Sequence, residues 1–157
     1  MPARHGADFA LLLLGGFREL VDCVSAELEV RGYVDVRPVH DFAIEAIRTG
    51  ADNVSELGRQ MSVSKQSAAK TVAVLVERNY VARELDPRDG RRMLLRVTSR
   101  GLEMQNEATS IFNDLYARWQ EEVGAEAIAS MEQSLKHLVG NASIRFDLPR
   151  WMANPGG

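Results

Sequence analysis

The chain has 157 residues, of which 45% are hydrophobic and 26% are charged. These proportions are close to the globular average, and they exclude a disordered chain, a collagen and a coiled-coil rod. The single cysteine, Cys23, excludes an intramolecular disulfide and a thiolate zinc cluster, and we interpret it as a structural buried thiol. The longest apolar run, at residues 9–14, is far shorter than the ~20 residues of a membrane span, so we expect a cytoplasmic protein without a membrane segment.

The net charge of −3 conceals an uneven distribution along the chain. Residues 59–100 hold ten basic and four acidic side chains, a net charge of +6, while the remaining residues hold nine basic and eighteen acidic ones. A localised basic region between acidic flanks is typical of a surface that binds nucleic acid. Charge alone does not decide between this interpretation and an ordinary solvated face of mixed charge.

Hydrophobic spacing predicts four helices in the first half of the chain, at residues 7–30, 38–49, 54–61 and 65–79. Asn53 and Ser64 are suitable N-caps for the third and fourth helices. Gly58 lies inside the third helix, where an interior glycine costs ~1 kcal/mol relative to alanine, so we expect close packing there. Asn79 is suited to the left-handed conformation that ends a helix.

A hairpin and two further helices are predicted in the second half. Strands with alternating apolar residues at 81–85 and 93–97 flank a turn that contains Pro87 and the pair Asp89-Gly90. A long helix should run from Thr98 or Ser99 to about residue 122, and a last helix to about residue 139. The tail that contains Trp151 is expected either to dock on a partner subunit or to be partly disordered.

The order helix, short turn, helix and hairpin is that of a winged helix–turn–helix. A helix that enters the major groove needs short polar side chains near its N-terminus, and the fourth helix begins with Ser64, Lys65, Gln66, Ser67 and Lys70. We expect Gln66 and Ser67 to meet base edges and the two lysines to meet phosphates. Arg91, beside the glycine of the hairpin tip, suits a minor groove.

These residues resemble the DNA-binding region of MarR-type regulators, the multiple-antibiotic-resistance regulator family. The segments that resemble its helix–turn–helix are Val54–Leu57, Val63–Gln66 and Leu75–Val81. Residues 86–92 resemble its wing signature, Asp-x-Arg-Asp-x-Arg, and Val97-Thr98 followed by Gly101 matches the usual entry to the next helix. The close match covers residues 38–102. Asn79 stands where the family commonly has glycine, and Arg37 where it often has a capping Thr or Ser.

The resemblance implies a mainly α fold with a small β-hairpin wing, in which the winged helix–turn–helix lies between N- and C-terminal dimerisation helices. Residues 1–35 and 101–157 would form the dimerisation domain, and residues 36–100 the DNA-binding domain. The implied function is that of a homodimeric repressor, bound to a near-palindromic double-stranded operator and released by a small-molecule ligand. The DNA-binding residues carried over are Ser64, Lys65, Gln66, Ser67, Lys70, Arg88, Arg91 and Arg92. Asp86 and Arg88 would also brace the wing.

The resemblance also implies a ligand pocket bounded by the first, second and fifth helices. Residues that would line it for a small aromatic or anionic effector are Phe17, Arg18, His40, Asp41 and Phe112. For His40 the alternative is a partly exposed histidine at a helix end. The histidines are scattered, so we expect no metal, and nothing indicates a cofactor.

Two other functions fit the sequence less well. A winged helix used only for protein contacts would not need a net charge of +6 concentrated in the helix–turn–helix and wing. An enzyme is not expected, because no Ser–His–acid, Cys–His or paired-carboxylate pattern and no glycine-rich phosphate loop is present in the sequence.

Overall fold

The computed structural model describes residues 3–140, so the tail with Trp151, for which docking or disorder was expected, lies outside the described residues. The described part contains six helices and one antiparallel hairpin. The elements in chain order are α1 (His5–Val30), α2 (Pro38–Arg48), α3 (Val54–Met61), α4 (Lys65–Glu77), β1 (Val81–Asp86), β2 (Asp89–Val97), α5 (Ser99–Val123) and α6 (Ala125–Val139). The predicted mainly α fold with a β-hairpin wing is confirmed.

The helix ends follow local hydrogen bonding. Helix α4 ends two residues before its predicted end, because Arg78 is the C-cap and Asn79 takes the expected left-handed conformation, with φ of +60°. Helix α2 begins at Pro38 although Arg37 offers no capping oxygen. Instead, the ring nitrogen Nδ1 of His40 accepts a hydrogen bond of 3.1 Å from the backbone N–H of Arg37. The histidine therefore supplies the N3 half of a capping box, while its own backbone N–H donates to the carbonyl oxygen of Arg37 at 2.9 Å.

A single apolar core joins the winged helix–turn–helix to the inner halves of α1 and α5. Its fully buried side chains come from every one of these parts of the fold: Leu28, Ile44, Leu57, Val72, Leu75, Tyr80, Val81 and Met104. Gly58 permits the close packing expected of it, because a Cβ there would lie 3.2 Å from the carbonyl oxygen of Val63 and 3.5 Å from the Cβ of Ala68. Helices α3 and α4 can consequently meet across a short turn.

Two helical faces remain exposed in the single chain. On α1, Leu12 is 73% exposed, and on α6, Leu138 is 72% exposed. Met131 is also exposed, since α6 packs mainly on α5 and leaves its other side uncovered in the described part of the chain. Cys23 is half-buried between α1 and α5 rather than buried. None of the described helices has both the length and the hydropathy needed to cross a membrane.

Candidate nucleic-acid interface

The turn between α3 and α4 fixes the direction in which α4 leaves the core. Ser62 ends α3 in the left-handed conformation, with φ of +55°. Two residues later, the Oγ of Ser64 accepts a hydrogen bond of 3.0 Å from the backbone N–H of Ser67 and caps α4. The predicted N-cap is thereby confirmed, and it leaves the remaining N-terminal amides of α4 directed away from the core.

Helix α4 divides into a buried and an exposed face. Its buried side chains are Ala68, Val72 and Leu75, which attach it to the core. The five residues of this region that the sequence predicts to contact DNA lie on the exposed part of its N-terminal half: Ser64, Lys65, Gln66, Ser67 and Lys70. Two lysine ammonium groups and three short polar side chains are thus presented together beside a helix N-terminus, where the positive end of the helix dipole adds to their charge.

The wing is held in shape by its own aspartates. The Oδ1 of Asp86 accepts a hydrogen bond of 2.8 Å from the backbone N–H of Arg88, and the Oδ1 of Asp89 accepts one of 3.1 Å from that of Arg91. A bulge lies between Leu85 and Asp86, where the strand register shifts. The aspartates therefore order the tip, while the side chains of Arg88 and Arg91 stay exposed. Asp86 braces the wing, as expected, but Arg88 contributes to that bracing through its backbone.

Arg92 anchors the wing to the residue that precedes the cap of α3. Its Nη2 lies 3.4 Å from the Oδ1 of Asp52, and the backbone N–H of Leu95 donates a hydrogen bond of 2.8 Å to the carbonyl oxygen of Asp52. Asn53, next along the chain, caps α3 by accepting a hydrogen bond from the backbone N–H of Glu56 at 2.9 Å. The start of α3 and the inner part of the wing are consequently joined by a backbone hydrogen bond and an ion pair. The sequence carried no signal for the role of Asp52, which is 40 residues from its partner.

Several of the ten basic residues at 59–100 already form ion pairs within the chain, so they are less available to a binding partner. Four arginines are paired with carboxylates, and the guanidinium of Arg100 stacks over two tyrosine rings; the four are Arg59, Arg78, Arg92 and Arg96. Within residues 3–140, six of the ten make no ion pair, and five of these six, all but Arg100, have no ring contact either: Lys65, Lys70, Arg83, Arg88 and Arg91. Four of these five lie at the start of α4 and at the wing tip, so the unneutralised positive charge of this region is concentrated on the two elements that the sequence predicted to contact DNA.

The expected ligand pocket is a narrow cleft in the described chain. Helices α1, α2 and α5 bound a space of about 20 Å³, enough for one water molecule, with Asp41 and Phe112 in its lining. Phe17 and Arg18 lie exposed on α1 and do not line this cleft. Burial raises the pKa of Asp41, and the nearby carboxylate of Glu45 raises it further.

His40 is placed differently from either interpretation of its sequence position. It does not line the cleft and is only 6% exposed, because its ring turns into the core to accept the hydrogen bond from Arg37. Burial lowers the pKa of His40, and the positive charge of Arg78 lowers it further. Within the described residues, no group of three or more potential metal ligands is formed.

Comparison with known proteins places this geometry in context. The model of the MarR family matches residues 43–92. The YusO protein from Bacillus subtilis is similar in structure, with 20% identity and a TM-score of 0.65 over 90% of this chain and 100% of the other. A mutant MarR from E. coli complexed with operator DNA has 20% identity and a TM-score of 0.65 over 84% of this chain and 94% of the other.

A MepR mutant from S. aureus bound to an oligodeoxyribonucleotide also has the same fold, with 15% identity and a TM-score of 0.59 over 83% of this chain and 95% of the other. No curated protein matches the sequence. At these levels of identity, the solved structures establish that the fold is shared over most of the chain, and the family match falls on the helix–turn–helix and most of the wing.

Proposed function

We propose that the chain is a member of the MarR family of DNA-binding transcription regulators, whose model matches residues 43–92, and that it is a homodimeric repressor that binds a near-palindromic operator. The family consists of regulators and not of enzymes. In this proposal, α4 enters the major groove, the wing reaches the adjacent minor groove, and the protein acts in the cytoplasm.

One observation carries the proposal: within residues 59–100, four of the five cations that have neither an ion pair nor a ring contact lie on α4 and the wing tip. A side chain already paired with a carboxylate gains little from a phosphate, whereas a free ammonium or guanidinium group releases a counterion from DNA when it binds. Lys65 and Lys70 would meet phosphates, while Gln66 and Ser67 would reach base edges. Arg88 and Arg91 would follow the minor groove. We assign Arg92 mainly to the anchoring of the wing, since its guanidinium is already engaged by Asp52.

The homodimer is supported by the exposed apolar residues of α1 and α6. Large apolar side chains exposed by half or more on these helices are Phe9, Leu11, Leu12, Phe17, Val30, Leu138 and Val139. An apolar surface of this extent is typical of an interface rather than of a solvated helix. Residues 1–35 and 101–157 would pair with those of a second copy about a two-fold axis. The two copies of α4 would then face half-sites about one turn of DNA apart.

For the effector, we propose a small aromatic molecule that enters the cleft between α1, α2 and α5. A ring would contact Phe112, and it would have to widen a space that now holds about one water molecule. Widening moves α2 relative to α1 and so favours a spacing of the subunits that does not fit DNA. Asp41 makes an anion the weaker candidate, because an ionised carboxylate repels it and Arg37, the cation that also lines the cleft, is paired with Asp35 at 3.2 Å. Benzyl alcohol should therefore release DNA at lower concentration than benzoate does, and the opposite order would refute this placement.

Selection of bound sequences from random duplex DNA tests the central proposal. The expected result is a consensus with two-fold symmetry and half-sites about one helical turn apart. As a matched control, the variant Lys70→Ala with Arg91→Ala should enrich no sequence at the same salt concentration. An asymmetric consensus, or no enrichment by the unsubstituted protein, would overturn the dimeric operator-binding function. A mass equal to one chain at micromolar concentration in the ultracentrifuge would overturn the dimer itself.

A further inference from the structure

Residues 31–37 link α1 to α2, and contacts with the long helices α1 and α5 hold this link in place. The Oγ of Ser25 on α1 donates a hydrogen bond of 3.0 Å to the carbonyl oxygen of Val36. At the beginning of the link, the guanidinium of Arg31 pairs with Glu27 on α1 at 3.1 Å and with Glu107 on α5. The link is therefore fixed to the two helices that contribute to the proposed dimer.

One residue at the end of α4, the proposed recognition helix, also holds this link in place. Arg78, the C-cap of α4, donates hydrogen bonds from Nη1 to the carbonyl oxygens of Val34, at 3.1 Å, and Asp35, at 2.8 Å. Its Nη2 donates a third, of 3.1 Å, to the Oδ2 of Asp35. The planar guanidinium is well suited to this, because its donors lie in a fixed fork. Together with Arg37, Arg78 lowers the pKa of the Asp35 carboxyl.

Asp35 is itself held in a conformation that is uncommon for a residue with a side chain. Its φ of +52° lies in the left-handed region, which aspartate tolerates better than most residues do. Beside it, the guanidinium of Arg100 lies 5.2 Å from the ring centroid of Tyr33 and 5.7 Å from that of Tyr80. The link thus has a defined shape where Arg78 grips it, and it is not a flexible tether.

We propose that Arg78 is a positioning residue, which sets the tilt of α4 relative to α1 and thereby the separation of the two DNA-reading surfaces. This inference rests on the proposed function. Arg78 lies at the C-terminal end of α4, while the residues proposed to read DNA lie at the other end. A helix of 13 residues is about 20 Å long, so a tilt of about 10° at Arg78 displaces the reading end by about 3 Å.

The hydrogen bonds from Arg78 to residues 34 and 35 also connect the ligand cleft to α4, the proposed recognition helix. The cleft is lined by Val36, Arg37 and Pro38, which follow directly after the two residues whose carbonyl oxygens accept from Arg78. A molecule that widens the cleft displaces this segment, and the hydrogen bonds of Arg78 transmit the displacement to α4. Coupling of the two sites then requires only a short rigid stretch, residues 34–38, with a contact on each side.

A distance measurement within one chain tests the proposal. Spin labels are attached in a Cys23→Ser background through Asp22→Cys on α1 and Ala69→Cys on α4, both at exposed positions. Excess unlabelled subunits are mixed in, so that only the distance within a chain is observed. Arg78→Ala should broaden the distribution, and Arg78→Lys should broaden it less. The control Arg48→Ala, which removes a cation paired with Glu45, should leave it unchanged. An unchanged distribution in Arg78→Ala would overturn the proposal.

A second variant covers the case in which Arg78→Ala does not fold. Asp35→Asn keeps a residue that accepts a positive φ but removes the carboxylate, so it should broaden the distribution to a smaller extent. If Asp35→Asn folds and its distribution equals that of the unsubstituted protein, the assignment of the grip to this pair is wrong. Because the labels lie in one chain, both outcomes are decided even if the protein binds no DNA or forms no dimer.

Binding to altered operators extends the test to function. Insertion of one base pair between the half-sites should weaken binding by the unsubstituted protein. For Arg78→Ala the preference for the original spacing should fall fivefold or more, roughly the lower end of couplings between sites. A preference that stays at the level of Arg48→Ala, with a broadened distance distribution, would show that the tilt of α4 does not set the spacing. Failure of the unsubstituted protein to bind any operator would refute the proposed function alone.

Discussion

The carbonyl oxygen of Tyr80 occupies the space where a side chain at Gly101 would begin. A Cβ at residue 101 would lie 2.3 Å from this oxygen and 2.9 Å from the Cγ1 of Val97. The contact fixes the approach of α5 to the end of α4, where the backbone N–H of Thr98 donates a hydrogen bond of 3.0 Å to the same oxygen. Glycine at this position is required for close approach, since the obstruction is backbone that cannot turn aside.

Gly101→Ala should therefore destabilise the protein. We expect the free energy of unfolding to fall by about 1–3 kcal/mol or more, because the added methyl group must displace α5 or the Tyr80 backbone. Urea denaturation measures the loss. The matched control is Gly6→Ala, where a Cβ would meet nothing within 4 Å, and its effect should stay within about 0.5 kcal/mol. Equal stability of the two variants would contradict the packing described for Gly101.

The two roles of Ser64 can be separated by a pair of substitutions. Ser64→Ala removes the cap of α4 and should lower the free energy of unfolding by about 1 kcal/mol. Ser64→Asp retains a capping oxygen and adds a charge that the helix dipole favours, so stability should be kept. The same charge would face phosphates, and operator affinity should fall by about tenfold or more. Should Ser64→Asp bind DNA as well as the unsubstituted protein does, the N-terminus of α4 does not lie on the duplex.

Lys70 and Arg91 should differ in how their loss affects DNA binding. Lys70→Ala should weaken binding to all sequences alike and reduce the slope of log affinity against log salt by about 1. Arg91→Ala should also weaken binding, and in addition reduce the preference for a narrow, A/T-rich minor groove. Titrations at several salt concentrations, with operators that differ in A/T content, distinguish the two. Arg48→Ala serves as the control, and binding that does not depend on salt would contradict both expectations.

The buried His40 should make stability depend on pH. Its pKa in the folded protein lies below the ordinary value of 6.5, first through burial and then through Arg78. As the pH falls below about 6.5, the unfolded chain takes up this proton before the folded one does, so stability decreases until the pH is below the folded pKa. His40→Asn keeps an acceptor for the Arg37 N–H but does not titrate. Urea unfolding between about pH 7 and pH 5 should show a smaller decrease in this variant; equal decreases would contradict the role of His40.

The exposed face of α1 should be needed for association. Leu12→Glu places a charge at a position that is 73% exposed in the single chain, and a charge buried in an interface without a partner strongly opposes dimer formation. Sedimentation equilibrium should then give the mass of one chain at micromolar concentration, with helix content retained. Leu85→Glu, at a wing position that is 63% exposed, is the matched control and should remain dimeric. A dimeric Leu12→Glu would exclude this face from the interface.

The elements were predictable because their signals are local. Hydrophobic spacing and the caps Asn53 and Ser64 gave helix limits within about two residues of the observed ones, and Asn79 was recognised as a left-handed residue from its type alone. The hairpin followed from Pro87 and Asp89-Gly90. In each case, the residues that determine the structure are neighbours in the sequence.

The remaining features depend on contacts between distant parts of the chain. Leu85 and Met93 are apolar residues of the alternating strands, but they pair with each other beyond the edge of the core, at 63% and 45% exposure. The roles of Asp52 and Arg78 depend on partners 40 and 43 residues away. The burial of His40 was not predicted, because its ring accepts a hydrogen bond from a backbone N–H. Residue types do not reveal such a bond.

The two aspartates that hydrogen-bond to the backbone of the wing tip affect the conformational entropy that the wing would lose on binding. A loop that must be ordered on contact loses conformational entropy at that moment, which reduces affinity. Here Asp86 and Asp89 have already ordered the turn. In the proposed complex only the long side chains of Arg88 and Arg91 would remain to be immobilised, so the wing would meet the duplex as a preformed surface rather than as a segment that folds against it.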